Sequence, residues 1–217
     1  MRIWILTLFP EYFDSILSSS ILHRAQESQK VEYKLVNIRD FSTDLHRKAD
    51  DRPFGGGPGM VMMVEPIDRA LSKIGVEKGG DRSRIILTSA KGKEFNQSVA
   101  QEYSNLEDLV LICGHYEGVD ERVAEHLVDE EMRIGNYVLT GGEAGAAVIT
   151  DAVVRLIPGV LGNQESTQEE SHHKPGVMGY PQYTRPSLYR GWSVPNVLLS
   201  GNHADINAWR EEKRSKD

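Results

Sequence analysis

Residues 3–9 form a continuous apolar run with β-branched and aromatic members, the pattern of a strand buried on both faces. Pro10 follows where a helix accepts proline in its first turn, and Tyr12-Phe13, Ile16-Leu17 and Ile21-Leu22 recur at helical spacing. The same reading predicts strands over 31–38, 84–88 and 108–113, with a short extended piece near 132–139. It predicts helices over 65–74, 94–104 and 119–128, and a small-residue helix from about 143 to 156 closed by Pro158-Gly159. Strands alternating with helices predict an α/β fold, a parallel sheet with helices on both faces. From Gly162 to about Pro186 the periodicity disappears, and Ala204 to Lys216 reads as a charged helix around Trp209.

The 217 residues suit one large domain or a medium domain with a small appendage. Hydrophobic residues make up 39% and charged residues 26%, which excludes disordered, collagen-like and disulfide-stapled classes. One cysteine, Cys113, makes no internal disulfide and fits a reducing cytoplasm. No stretch approaches the roughly 20 apolar residues of a membrane span, and the opening run lacks a signal-peptide cleavage site. The net charge of −7 is unevenly spread: residues 172–217 carry 7 basic and 4 acidic side chains. That distribution permits a polyanionic partner without demanding one.

Three glycine-rich stretches follow predicted strands: Cys113 to Gly118, Ile134 to Glu143, and Thr88 to Gly92. Ligands of such sheets bind at the carboxyl ends of the strands, and glycine lets backbone approach them closely. Any one stretch is as easily a tight turn; three at one sheet edge predict a ligand pocket. Neither G-x-G-x-x-G nor a P-loop is present, and metalloprotease and nucleophile-elbow motifs are also missing. Asp50 to Met60 is a glycine-rich loop beside His46, Arg47, Lys48 and Arg52, suited to a flat ring or a phosphate. Carboxylates at Glu169-Glu170 fall in the aperiodic segment, and such acids are usually just solvated.

In order and spacing, Asp50–Met60, Cys113–Arg122, Ile134–Glu143 and Tyr183–Pro186 resemble the bacterial tRNA (guanine-N1)-methyltransferases, of the SPOUT superfamily. Phe9-Pro10-Glu11, Asp151–Gly159, Leu199–His203 and Trp209-Arg210 fit as well, so the resemblance spans nearly the whole chain. It implies a parallel sheet with a deep trefoil knot, against the general expectation of an unknotted chain. It also implies a SPOUT domain over 1–160, a linker over 161–175 and a small, mainly helical, tRNA-binding domain over 176–217, shorter than the family's usual one. The implied reaction moves a methyl group from S-adenosylmethionine to N1 of the guanine just 3′ of the tRNA anticodon. The implied partners are tRNA and a second copy of the chain in a homodimer, with no membrane and no DNA, in the cytoplasm.

By motif position, Gly114, Tyr116, Glu117, Ile134, Gly135, Asn136, Tyr137, Val138, Leu139, Gly141, Gly142, Leu87 and Ser89 would bind the cofactor. Asp50, Arg52, Gly55, Gly56, Gly57, Pro58, Gly59 and Arg185 would bind the RNA substrate. Glu170 takes the place of the family's general base and Arg155 that of its arginine, while Glu117 and Glu170 are oxygen ligands for an expected Mg²⁺. The family usually has Asp at 170, Arg at 115 and Asp at 136, where this chain has Glu170, His115 and Asn136. Glutamate keeps the carboxylate that the chemistry needs. A knotted RNA-binding protein with lost or altered activity is the alternative, separated from the enzyme by methyl incorporation into tRNA.

Overall fold

A computed structural model describes residues 1–162, 170–172 and 176–214. The chain divides into two units, 1–162 and 163–217. In the first, five strands lie in the order β2-β1-β6-β5-β7, all parallel. They are β1 (Arg2–Thr7), β2 (Glu32–Asn37), β5 (Ser83–Glu94), β6 (Asp108–Cys113) and β7 (Glu130–Arg133). A two-residue pair, β3 (Asp50–Asp51) and β4 (Val61–Met62), brackets the glycine-rich loop.

The central strand β6 is buried at every position, as its unbroken apolar run requires of a strand covered on both faces. Two apolar clusters occupy the two faces. On one, Ile3, Ile5, Leu109 and Leu111 meet α1 (Asp14–Leu17), α2 (Ser20–Glu27), α4 (Gln97–Tyr103) and α5 (Glu143–Val154). On the other, Leu6, Val110, Ile112 and Leu87 meet Ile67, Ala70 and Leu71 of α3 (Val64–Ile74). Helix ends follow their local chemistry: Asn96 caps α4 by accepting from Val99 N at 3.1 Å, and Gly75 ends α3 at φ +70°.

Three predicted elements differ. The helical pattern after Pro10 is broken at residues 18–19, and Ser20, which opens α2, takes φ +50°. The expected helix over 119–128 is shorter, helical over 121–127 and of π type over Val123–Leu127. The extended piece near 132–139 is a strand only to Arg133 and then a loop. In addition, β5 runs well past Thr88. Thr88 and Lys93 both face Met132, so residues 89–92 bulge out of the ladder at its carboxyl end.

The second unit carries β8 (Leu188–Tyr189) hairpinned to β9 (Trp192–Ser193), then α6 (Asn196–Leu199) and α7 (His203–Lys213). Among the described residues, no helix is long and apolar enough to cross a membrane.

Candidate functional site

A cavity of about 430 Å³ opens at the carboxyl ends of β5, β6 and β7. Residues 87–91, 114–119 and 137–142 line it, with Ile134 and Gly135. The β5 bulge forms one wall. Gly92 permits it, because a Cβ there would overlap the backbone of Glu131.

The chain leaving β7 at the sheet edge crosses back over the strand ends. Gly142 N donates to Gly114 O at 2.7 Å, and His115 bridges Gly141. A Cβ at Gly142 would lie 2.8 Å from Gly114 N and overlap Thr88 Oγ1; one at Gly141 would overlap Glu143 and His115. The crossing is therefore backbone on backbone, closable only by glycine.

Beneath it lies a buried polar group. Thr7 Oγ1 donates to Glu143 Oε1 at 2.7 Å, and His115 Nδ1 lies 3.6 Å from Glu143 Oε2. Thr88 Oγ1 donates to Ile112 O at 3.1 Å. Burial, with the Glu143 charge nearby, pushes the Cys113 thiol well above its ordinary range, so this cysteine is an inert core residue. At the outer wall Lys91 Nζ sits 2.5 Å from Glu121 and 3.7 Å from Glu131.

The loop of Gly55, Gly56, Gly57, Pro58 and Gly59 is tied to this pocket. Glu117 N donates to Met60 O and Met62 N to Gly118 O, both at 3.0 Å. Gly59, at φ +74°, lies so close to Glu117 that any side chain would collide with it. Arg39 adds a second tie, donating to Tyr116 Oη at 3.0 Å and lying 3.9 Å from Asp50 Oδ1. Phe54 at the loop's tip is fully exposed, and Arg52 is exposed beside it. A cofactor-sized cleft thus adjoins a glycine loop able to meet a flat ring.

The family model described as tRNA (Guanine-1)-methyltransferase TrmD matches residues 1–217. The chain belongs to this family. Three similar proteins, each named tRNA (guanine-N(1)-)-methyltransferase, bear this out. That of Carboxydothermus hydrogenoformans is 54% identical, covering 98% of this chain and 82% of its own. That of Brevibacillus brevis is 53% identical over 97% and 85% of the two chains, and that of Staphylococcus carnosus 52% over 99% and 86%.

Of the positions that the tRNA (guanine-1)-methyltransferase motifs mark for the cofactor, Leu87, Ser89, Gly114, Tyr116, Glu117, Ile134, Gly135, Tyr137, Val138, Leu139, Gly141 and Gly142 line the cavity. Asn136 does not. Its Oδ1 instead accepts from Arg133 Nε at 2.9 Å. Arg155 caps the carboxyl end of α5, directly after Val154, and is half-buried. Glu170 and Arg185 belong to the second unit, Glu170 half-buried and Arg185 exposed. Among the described residues no three His, Cys, Asp or Glu side chains gather as a metal site.

Sequence reasoning missed Thr7, Glu143 and the Lys91–Glu121–Glu131 wall. Glu143 had a local signal, an acid directly after a double glycine at a helix start. Thr7 had none, because its partner lies 136 residues away.

Proposed function

We propose that this protein transfers a methyl group from S-adenosylmethionine to N1 of the guanine immediately 3′ of the tRNA anticodon. The observation that carries the reading is the glycine crossing of Gly114, Gly141 and Gly142 over the strand ends, beside the Gly55–Gly59 loop. The family's name supplies the reaction class.

The residues present suit the methyl donor. Gly114, Gly141 and Gly142 offer backbone that a ligand can approach closely, and Ile134, Tyr137, Val138 and Leu139 offer an apolar wall. Bound there, S-adenosylmethionine supplies an electrophilic methyl group on a sulfonium centre. Guanine N1 carries a proton at neutral pH and must lose it to act as a nucleophile. Glu170 takes that proton on its carboxylate, and the Arg155 guanidinium stabilises the negative charge that develops on O6. The Gly55–Gly59 loop, with Asp50 and Arg52, receives the base. Glu117 and Glu170 are the oxygen ligands proposed for Mg²⁺, an ion usually bound through only one or two carboxylates.

We read 1–160 as the donor-binding domain, 161–175 as a linker and 176–217 as the part that grips tRNA through its excess positive charge, with Arg185 on the RNA. The return of the chain from β7 at the sheet edge to α5, packed on the central strands, supports a deep trefoil knot. Tyr137, Val138 and Leu139 stand exposed at the pocket mouth, which supports a homodimer whose second copy covers them. In that dimer Glu170 of one protomer serves the pocket of the other. The setting is the cytoplasm.

The test compares two unmodified tRNA transcripts that differ only in carrying guanine or adenine 3′ of the anticodon. Methyl incorporation from labelled S-adenosylmethionine into the guanine transcript alone is expected. Equal labelling of both would overturn the assignment.

A further inference from the structure

The hairpin of the second unit carries its aromatic side chains outward. Tyr189 and Trp192 are 52% and 69% exposed, beside the equally exposed Leu188. They face each other across the strands, with ring centroids 5.9 Å apart and planes at 57°. The turn between them holds only Arg190 and Gly191, both at positive φ, +51° and +87°. A two-residue turn of that kind fixes strand register tightly.

Two features of this tip are not explained by folding. Aromatic rings at the end of an isolated two-stranded hairpin bury little area and leave apolar surface in water. Position 190 also calls for Asn, Asp or Gly, yet it carries an arginine in the left-handed region, at a backbone cost. That arginine lies 5.3 Å from the centroid of the Tyr189 ring. The tip therefore presents the exposed Trp192 ring beside a cation held over the Tyr189 ring.

Such a surface matches an unstacked nucleobase, which stacks on the ring while its phosphate meets the guanidinium. Charge favours the same partner, because residues 172–217 carry 7 basic against 4 acidic side chains. We propose that Tyr189, Arg190 and Trp192 form a stacking platform for an unpaired base of the substrate tRNA. This rests on the reading of tRNA as substrate.

The test uses the full chain and an unmodified tRNA transcript. Trp192→Ala should weaken tRNA binding, measured by filter retention, by about 10–100-fold, the usual worth of one stacked base. Trp192→Phe, which keeps a π-face, should retain most of the affinity, whereas Trp192→Leu, similar in bulk, should not. Calorimetric affinity for S-adenosylmethionine should be unchanged in all three. The slope of log affinity against log salt should persist in Trp192→Ala, since stacking neutralises no phosphate, and should fall by about one in Arg190→Ala.

Unchanged tRNA affinity in Trp192→Ala, with the parent protein binding and methylating tRNA, would overturn the platform and leave the methyltransferase reading standing. Equal affinity in the Phe and Leu variants would overturn it too, and covers the case of an unfolded alanine variant. Loss of the dimer by sedimentation in Trp192→Ala would mark the tip as a contact between protomers and overturn it likewise. Failure of the parent protein to bind tRNA at all would sink the functional reading itself, and the platform with it.

Discussion

Thr7, the last residue of β1, donates its hydroxyl to Glu143, the first residue of α5, at 2.7 Å and across 136 positions of sequence. Both side chains are buried, at 0% and 4% exposure. The bond locks the returning chain against the centre of the sheet, directly below the glycine crossing.

Thr7→Val replaces the hydroxyl with a methyl of the same shape and leaves Glu143 Oε1 without its donor. Unfolding free energy in urea should fall by about 1–3 kcal/mol, the cost of stranding a buried polar group. Thr7→Ser should lose much less. Equal stability of the valine variant and the parent would show that the bond holds nothing.

Gly141→Val places a side chain on Glu143 and His115, where the crossing has no room. Calorimetry should find no binding of S-adenosylmethionine, while far-ultraviolet circular dichroism reports a folded chain. Parental affinity in the folded variant would put the methyl donor elsewhere.

Glu170→Gln keeps the shape of the proposed base and removes its ability to take a proton. Single-turnover methyl transfer should slow by roughly 10²–10⁴-fold, with binding of S-adenosylmethionine nearly intact. Near-parental transfer would remove Glu170 from the chemistry.

What could be read from sequence followed the range of the interactions. The runs at 3–9 and 108–113 announced buried strands because a strand covered on both faces needs apolar residues throughout. The three glycine stretches announced the pocket because glycine serves close backbone approach wherever it occurs. The helix expected over 119–128 begins only at 121, because the residues before it are held by tertiary pairing: Glu117 N and Asp120 N donate to Met60 O and Met62 O, and Asp120 itself accepts from Arg122 N. The β5 bulge and the strand order β2-β1-β6-β5-β7 depend on partners far apart in sequence, and no local pattern encodes them. The position of Asn136, turned to Arg133, was set by a neighbour that a motif does not weigh.

Mixed dimers test the proposed sharing of sites between protomers. Glu170→Ala and Gly141→Val homodimers should each be inactive. A mixed dimer with one defect per chain should recover about half the parental activity, because one of its two isologous sites combines intact halves. A dead mixture of folded, exchanging subunits would contradict sites shared between protomers that work independently.

The most direct measurement is the location of the methyl group. A tRNA transcript incubated with the purified protein and S-adenosylmethionine is digested to nucleosides and fragments and read by mass spectrometry. The expected result is 1-methylguanosine, at the guanine 3′ of the anticodon and nowhere else. Unmethylated tRNA, or a methyl group on any other atom or nucleotide, would contradict the account.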